Sequence, residues 1–310
     1  MLPYILKRLF SMLLTLWLIV TVTFLLMHAV PGSPFEKDGR NANPTAVKNM
    51  MEHYHLDQPL AVQYVLYLKG LATLDLGPSI AHYPDSVGSM IGRGFPVSFQ
   101  LGLASLALAV VCGVVLGTLA ALRQNGLIDS LSMLLAVLGT AVPSFIIAPL
   151  LIQYVAVEWR LLPAATWGTW RHAVLPTLAL AAGPLAMIAR LTRAQMAEVL
   201  TQEYIDTARA KGLPPHVIIL KHALRCAILP VITLLGALMA NVLTGSFVIE
   251  KIFAVPGMGK YFVESINNRD YAVILGTTVF YSALLLVMTF LVDIVYGFID
   301  PRMKLHRKEA

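Results

Sequence analysis

Six long runs of hydrophobic residues make up most of this chain, and polar segments of varied length separate them. Each run approaches or exceeds the about 20 helical residues that cross the ~30 Å hydrocarbon layer of a bilayer. The runs are continuous and do not alternate between polar and apolar residues, so they predict helices rather than barrel strands. We therefore predict an all-α membrane protein with six transmembrane helices. They cover residues 9–30, 97–122, 131–157, 173–189, 227–248 and 272–299.

The composition supports a membrane environment. Hydrophobic residues make up 57% of the chain and charged residues 13%, against about 45 to 50% and about 25% in soluble domains. The net charge of +6 comes from basic residues at the membrane boundaries, where they match an anionic inner leaflet, so it does not predict nucleic-acid binding. The first run follows Lys7 and Arg8 and exceeds the about 7 to 15 apolar residues of a signal peptide, so we expect it to be retained.

The distribution of Lys and Arg predicts the orientation. With the N-terminus inside, the inner segments hold thirteen of these residues and the two shorter outer loops hold five. Positive flanks tend to remain in the cytoplasm, so both termini are predicted to be cytoplasmic. Along the chain we expect a first transmembrane helix over residues 1–30, an extracytoplasmic loop region over 31–96 and a core with the other five transmembrane helices over 97–310.

The outer region is too long to be a simple connector, because structureless loops beyond about 12 to 15 residues are uncommon. We expect it to carry short helices of its own at the membrane interface. Asn43-Pro44 can start one such helix, Asp57 can cap another that runs to Gly70, and Pro84 can open a third.

The inner loop over residues 190–226 holds the most informative segment. Residues 202–211 are good helix formers, Gly212 supplies a permissive helix end, and Pro214 and Pro215 prevent continuation. The predicted short helix has few and small apolar residues, so it suits a groove in another protein better than a membrane surface. From composition alone, a plain structural connector is an equal alternative.

Motifs in this loop and elsewhere resemble those of permease subunits in bacterial ABC importers. Asp206-Thr207-Ala208, then Gly212 and later Leu229-Pro230, resemble the "EAA" loop, with Asp in place of the acidic Glu. Residues 203–213 are similar to the variant in dipeptide, oligopeptide and nickel permeases. Further motifs of that group are Asp75-Leu76-Gly77-Pro78-Ser79, Pro143-Ser144-Phe145, Glu250-Lys251-Ile252-Phe253, Pro256-Gly257-Met258-Gly259 and Asn268-Arg269-Asp270-Tyr271.

This resemblance implies a multi-pass protein of the bacterial inner membrane with a type I ABC-importer permease fold, in which residues 97–310 form the permease core. It also implies a coupling helix seated in a groove of an ATP-binding subunit. The residues that inherit the coupling role are Glu203, Tyr204, Asp206, Thr207, Ala208, Arg209, Lys211, Gly212 and Leu213. It also implies a second homologous permease subunit, two ATP-binding subunits that bind ATP and Mg, and an extracytoplasmic peptide-binding protein. The chain itself is expected to bind no cofactor or metal and to have no ATPase site.

The implied substrate is an oligopeptide, because the segment around Asp75 to Ser79 is similar to the oligopeptide branch. Dipeptides, glutathione and nickel remain alternatives within the same group of importers. Polar residues inside spans are candidates for the pathway lining, because lipid-facing polarity is costly. The candidates are Ser144, Asn241, Thr244 and Ser246.

Other functional classes receive less support from the residues. Cys112 and Cys226 lie in or near spans without metal-ligand spacing, so they are predicted to be packing residues. Gly257-Met258-Gly259-Lys260 lacks the gap and the following Ser or Thr of a phosphate-binding loop. An ion-coupled carrier remains the competing class, although charged residues at mid-membrane and internal repeats are not evident.

Overall fold

The computed structural model describes residues 2–29, 48–49, 51–52, 54–82 and 84–299. The described residues form helices and connecting loops, with an isolated antiparallel bridge between Pro78 and Ser86. The α-helices are α1 Leu2–Ala29, α2 Leu60–Ala72, α3 Val87–Leu122, α4 Leu127–Ala141, α5 Ser144–Leu151, α6 Trp170–Val199, α7 Glu203–Ala210, α8 Pro215–Val217, α9 Leu224–Ala227, α10 Leu229–Ile252, α11 Met258–Asn268 and α12 Tyr271–Ile299. Two π-helical segments, Ile152–Glu158 and Ile218–Ala223, follow α5 and α8.

Four described helical stretches are long and apolar enough to cross a membrane, and the number rises to six if each of two bent pairs forms one span. The four stretches are Ile5–Ala29, Val87–Leu122, Trp170–Val199 and Tyr271–Leu291. The two pairs are Leu127–Ala141 with Ser144–Glu158, and Pro215–Ala227 with Leu229–Leu243. The described residues of the six predicted hydrophobic runs are thus helical except at Val142, Pro143 and Ile228, and the mostly helical membrane fold is confirmed.

The third run is not one continuous helix as predicted. α4 ends at Ala141, and the next helical stretch departs from it by 105°. Val142 has an extended backbone, with φ −93° and ψ 115°, and Pro143 follows it. Proline disfavours helical conformation in the residue before it and lacks an N–H for the helix ladder, which explains the break at this place.

The outer region differs from its prediction in two places. α2 begins at Leu60 after Pro59, and no side chain caps it, so the predicted cap at Asp57 is wrong. Pro84 does not open a separate helix, because α3 begins at Val87 and continues without interruption into the second span with Pro96 inside it. The predicted helix start at Asn43-Pro44 lies outside the described residues.

Tertiary contacts divide the chain into two units. Unit 1 comprises Met1–Val97 and Gly257–Leu286, and unit 2 comprises Ser98–Pro256 and Val287–Ala310. This division follows packing rather than membrane topology, so it does not test the predicted boundaries at residues 30 and 96.

In unit 1, a buried carboxylate ties the outer segment to the start of α12. Asp270 is fully buried. Its Oδ2 accepts hydrogen bonds from the Ser79 hydroxyl at 2.5 Å and from the Ala81 N–H at 3.0 Å. Its Oδ1 accepts one from the Val273 N–H at 3.2 Å, in the first turn of α12. These bonds satisfy the carboxylate and hold the two segments together.

In unit 2, glycines let α3 and α6 approach closely. A Cβ atom added at Gly117 would lie 2.5 Å from the Ala189 carbonyl oxygen and 2.7 Å from Thr192 Cβ. One added at Gly113 would lie 2.9 Å from Ile188 Cβ. Small residues at such contacts are typical of helix packing in membranes, where dispersion forces between close backbones stabilise the pair.

Candidate functional site

The helix α7 forms as the sequence predicts and ends sharply. Its first residue follows Gln202, whose backbone is extended. At its end, Gly212 has φ +73°, the left-handed conformation that glycine adopts without strain. The Leu213 N–H donates to the Ala208 carbonyl at 3.3 Å and the Gly212 N–H to the Arg209 carbonyl at 2.9 Å. These bonds satisfy carbonyls that a helix end would otherwise leave free.

One face of α7 is packed into unit 2. Ile205 is fully buried and Ala208 is 6% exposed. They belong to a buried apolar cluster that joins the end of α3, the end of α6 and the segments after α8. The other members of this cluster are Ala121, Met196, Ile218, Ala223 and Ala227. Because these contacts come from several helices, a displacement of α7 would be passed directly to them.

The opposite face of α7 is exposed and carries both signs of charge. Its acidic residues, Glu203 and Asp206, lie in the first turn and Arg209 in the last, the arrangement that complements the helix dipole. Arg209 Nη1 lies 3.0 Å from Asp206 Oδ1, with both side chains more than half exposed. Of the nine predicted coupling residues, all are exposed except Ala208, which is buried, and Leu213, which is half-buried.

Tyr204 marks the edge between these two faces. Partial burial of this side chain, which is 43% exposed, followed by its hydrogen bond with Cys226, raises the pKa of Tyr204 to about 12. Cys226 itself is exposed and Cys112 half-buried. The prediction that Cys226 is a packing residue is therefore wrong, because its helix end borders the exposed side of α7.

An ion pair that the sequence analysis did not identify fixes the end of α6 that leads to α7. Arg193 contacts Asp129 through two parallel bonds of 2.6 Å, from Nε to Oδ1 and from Nη2 to Oδ2. The Asn125 N–H also donates to Asp129 Oδ2 at 3.0 Å. The Asp129 side chain is only 5% exposed. This two-point geometry restrains both position and orientation, which a single contact would not.

The four predicted pathway residues occupy different environments. Ser144 is half-buried at the start of α5, and Asn241 is exposed on α10. Ser246 is fully buried, and its hydroxyl donates to the Leu243 carbonyl at 2.8 Å within the same helix. The side chain of Thr244 lies outside the described residues. The pathway role of these residues stays a prediction.

Unit 1 contains a cavity of about 490 Å³ beside α1, α2 and the start of α12. Its lining is mainly aromatic and aliphatic, and includes Phe24, Tyr67 and Tyr271. The Tyr67 hydroxyl is buried without a hydrogen-bond partner. Within the whole described part of the chain, no three His, Cys, Asp or Glu residues are grouped as metal ligands would be.

Comparison with known proteins gives consistent matches along the chain. Residues 113–305 match the family model described as "Binding-protein-dependent transport system inner membrane component", and residues 1–89 match the model of an N-terminal component of such systems. The chain is 60% identical over 305 residues to a dipeptide transport system permease protein, DppB, of Bacillus subtilis, covering 98% of this chain and 99% of the relative. It is 45% identical over 306 residues to an oligopeptide transport system permease protein, OppB, of Haemophilus influenzae, with 98% and 100% covered.

Solved structures support the fold. The described helices are similar to a chain of the MetNI methionine ABC transporter in an inward-facing conformation, with a TM-score of 0.54 and 18% identity. That match covers 68% of this chain and 94% of the other. A second match, to an amino acid ABC transporter, has a TM-score of 0.53 and 15% identity over 68% and 94% of the two chains. At these identities the likeness concerns the fold alone.

Proposed function

This chain belongs to the family of binding-protein-dependent transport system inner membrane components, and from that membership we propose that it is the channel-forming subunit of an ATP-driven importer for oligopeptides. It is a multi-pass inner-membrane protein of the permease type. Peptide as the substrate class is supported by relatives whose names specify dipeptide and oligopeptide transport. Dipeptides are the second candidate, favoured by the 60% identity to a dipeptide permease.

The observation that carries the coupling role is the two-sided construction of α7. Its apolar side is buried among the ends of α3 and α6, whereas its charged side is exposed. The exposed face of α7, which carries both signs of charge, suits binding by a protein partner. Its buried apolar side can pass a displacement of α7 to the neighbouring helices. We infer that an ATP-binding subunit contacts Glu203, Asp206 and Arg209, and that its movement reaches the spans through Ile205 and Ala208.

The proposed assembly contains four further chains. They are a second homologous permease subunit and two ATP-binding subunits, which hold ATP and Mg, with an extracytoplasmic protein that delivers the peptide. Both termini and α7 lie on the cytoplasmic side in this proposal, and α2 and α11 lie on the outer side. This chain supplies no ATPase chemistry of its own.

Co-purification tests the coupling role. The chain is tagged, extracted in mild detergent and isolated as the native sequence, as Gly212→Asp and as Gly77→Asp. Gly212 and Gly77 are matched, because their φ angles are +73° and +82° and neither has an atom within 4 Å of an added Cβ. Both variants therefore introduce similar backbone strain, but only Gly212 adjoins α7.

We expect ATP-binding subunits to accompany the native chain and the Gly77→Asp control, and to be lost from Gly212→Asp while the second permease is retained. Equal loss from both variants would mean that general strain, rather than α7, controls the association. Absence of any ATPase from the native complex would remove the support for an ATP-driven importer.

A further inference from the structure

The short helix α2 lies against the C-terminal part of α1 in unit 1. The hydroxyl oxygens of Tyr64 and Thr21 are 2.6 Å apart. Two turns further along α1, His28 Nε2 lies 3.1 Å from Gln63 Oε1. One side of α2 is thus held by hydrogen bonds to two levels of α1.

An aromatic contact lies between these two hydrogen bonds. The Phe24 ring centroid is 5.2 Å from that of Tyr64 and 6.2 Å from that of Tyr67. Phe24 is 3% exposed. The contacts at Thr21, Phe24 and His28 therefore form one continuous seam along α1.

These contacts determine how deep α2 lies in the membrane, since α1 crosses it. The apolar stretch of α1, Ile5–Ala29, has a mean hydropathy of 2.4. At a helical rise of ~1.5 Å per residue, Phe24 lies about 7 Å and Thr21 about 12 Å below the Ala29 end. With His28 about 2 Å below that end, the three contact levels have a mean depth of about 7 Å. Amphipathic helices embedded in one leaflet typically lie at about 5 to 10 Å.

The other side of α2 is apolar and exposed. Val62, Val65 and Leu66 are 43%, 62% and 41% exposed, and Leu66, at the edge of this face, also borders the cavity of unit 1. With Lys69 they follow the i, i+3, i+4, i+7 spacing that places residues on one helix face, opposite Tyr64. Lys69 is the one charged residue of α2. Its long side chain can carry the ammonium group to the membrane surface.

Leu74, just after α2, is a further exposed apolar residue of this segment. It has φ 59° and is 90% exposed. The left-handed conformation is held by the Asp75 N–H, which donates to the Gly70 carbonyl at 2.9 Å. Glycine is usual at this position of a helix end. A bulky apolar residue there, strained and fully projecting, fits an apolar surrounding better than water.

We propose that α2 is embedded in the leaflet at the Ala29 end of α1 and that lipid acyl chains cover Val62, Val65, Leu66 and Leu74. Lipid is favoured over a protein partner because the depth of α2 is set by a membrane-spanning helix, and because its exposed face carries no polar side chain for specific recognition apart from Lys69 near its end. As a helix, α2 satisfies its own backbone groups in hydrocarbon, where an irregular loop would not.

Site-directed spin labelling tests this proposal in liposomes containing the assembled importer. Labels are placed at Val65→Cys and Leu74→Cys in a chain whose two cysteines are replaced by Ser. Accessibility to oxygen, which concentrates in lipid, is compared with accessibility to a water-soluble nickel chelate. References are Asp57→Cys, in the exposed turn before α2, and Val20→Cys, which replaces a side chain 3% exposed in unit 1.

We expect the labels at 65 and 74 to be accessible to oxygen and protected from the nickel chelate. High accessibility to the chelate, as expected at Asp57, would place the face in water and overturn the proposal. Low accessibility to both reagents, as expected at Val20, would mean that a protein surface covers α2 and would overturn it equally. Neither reading depends on transport activity.

A second measurement uses the strain at Leu74. Leu74→Gly relieves the left-handed backbone but removes the side chain. In nanodiscs we expect Tm to fall, because lost contact with lipid outweighs the relieved strain. Ala254→Gly is the matched control, since Ala254 has φ 53° and is exposed but carries a small side chain, and its Tm should rise. A rise for Leu74→Gly would show that the leucine makes no such contact.

Discussion

Individual residues control how closely the helices of unit 2 approach. Gly117 leaves no room for a methyl group, since the added Cβ would lie 2.5 Å from the Ala189 carbonyl oxygen. Gly92, in the same helix α3, has open space around it. The two glycines therefore differ in tertiary contact while sharing helical backbone and side-chain type.

We predict opposite effects for the same substitution at these two glycines. Gly117→Ala should destabilise the chain by about 1 to 3 kcal/mol through overpacking against backbone. Gly92→Ala should be neutral or stabilising by about 0.5 to 1 kcal/mol, because alanine restricts the unfolded chain. Thermal unfolding in detergent measures both. Equal effects would contradict the close approach of α3 and α6.

Two ion pairs of unit 2 also differ in burial. Asp129 is buried in its pair with Arg193, whereas Asp206 and Arg209 are both exposed. We predict that Arg193→Ala lowers the free energy of unfolding by about 1.5 to 3 kcal/mol, since it leaves Asp129 covered without its partner. Arg193→Lys should recover part of this loss, because lysine keeps the charge but not the two parallel bonds.

Arg209→Ala provides the control for this prediction. Its pair with Asp206 is exposed at both ends, and such pairs contribute about 0.2 to 1 kcal/mol. A Tm for Arg193→Ala no lower than that of Arg209→Ala would contradict the structural role of the Asp129 pair.

At the scale of elements, α7 joins the helix ends of unit 2 to an exposed surface. Two structural features lie close to α7 in unit 2. The π-helical segment Ile218–Ala223 packs against α7 through Ile218 and Ala223, and π-helical turns are frequent at functional positions. On the other side, the Asp129–Arg193 pair restrains α6.

Cys226 provides a reporter of contact at α7, because it is exposed and lies beside Tyr204. With Cys112 replaced by Ser, we predict that maleimide labelling of Cys226 slows severalfold when the ATP-binding subunits are bound. Mass spectrometry of the labelled chain measures the rate. The control is Lys260→Cys in the cysteine-free chain, an exposed position on α11, where the rate should not change. An unchanged labelling rate at Cys226 would contradict the binding of an ATP-binding subunit at α7.

At the scale of the whole molecule, the energy source separates the importer from an ion-coupled carrier. In proteoliposomes that contain the complete assembly and the binding protein, we predict that peptide uptake requires ATP hydrolysis. Vanadate should abolish uptake, and a protonophore should leave it unchanged while ATP is maintained. Uptake driven by a proton or sodium gradient without ATP would establish the carrier mechanism instead.

The linear sequence by itself determined that the long apolar runs are helical, apart from local breaks, and that the chain belongs in a membrane. Long apolar runs admit few alternatives in lipid, since each backbone group must be bonded within its own segment. The position where α7 ends was also predictable from the local sequence. The left-handed conformation at Gly212 and the prolines that follow it affect only a few neighbouring residues. The exposed charged face of α7 followed from its composition.

Tertiary structure alone decided the contacts between distant residues. Asp129 and Arg193 are separated by 64 positions, and Thr21 and Tyr64 by 43, so no local pattern pairs them. Tertiary packing likewise decided the angles of 105° and 52° in the bent pairs, because a proline or helix end permits a change of direction without fixing its size. The depth of α2 belongs to the same class, since its own residues describe only an apolar helix and α1 determines where it lies.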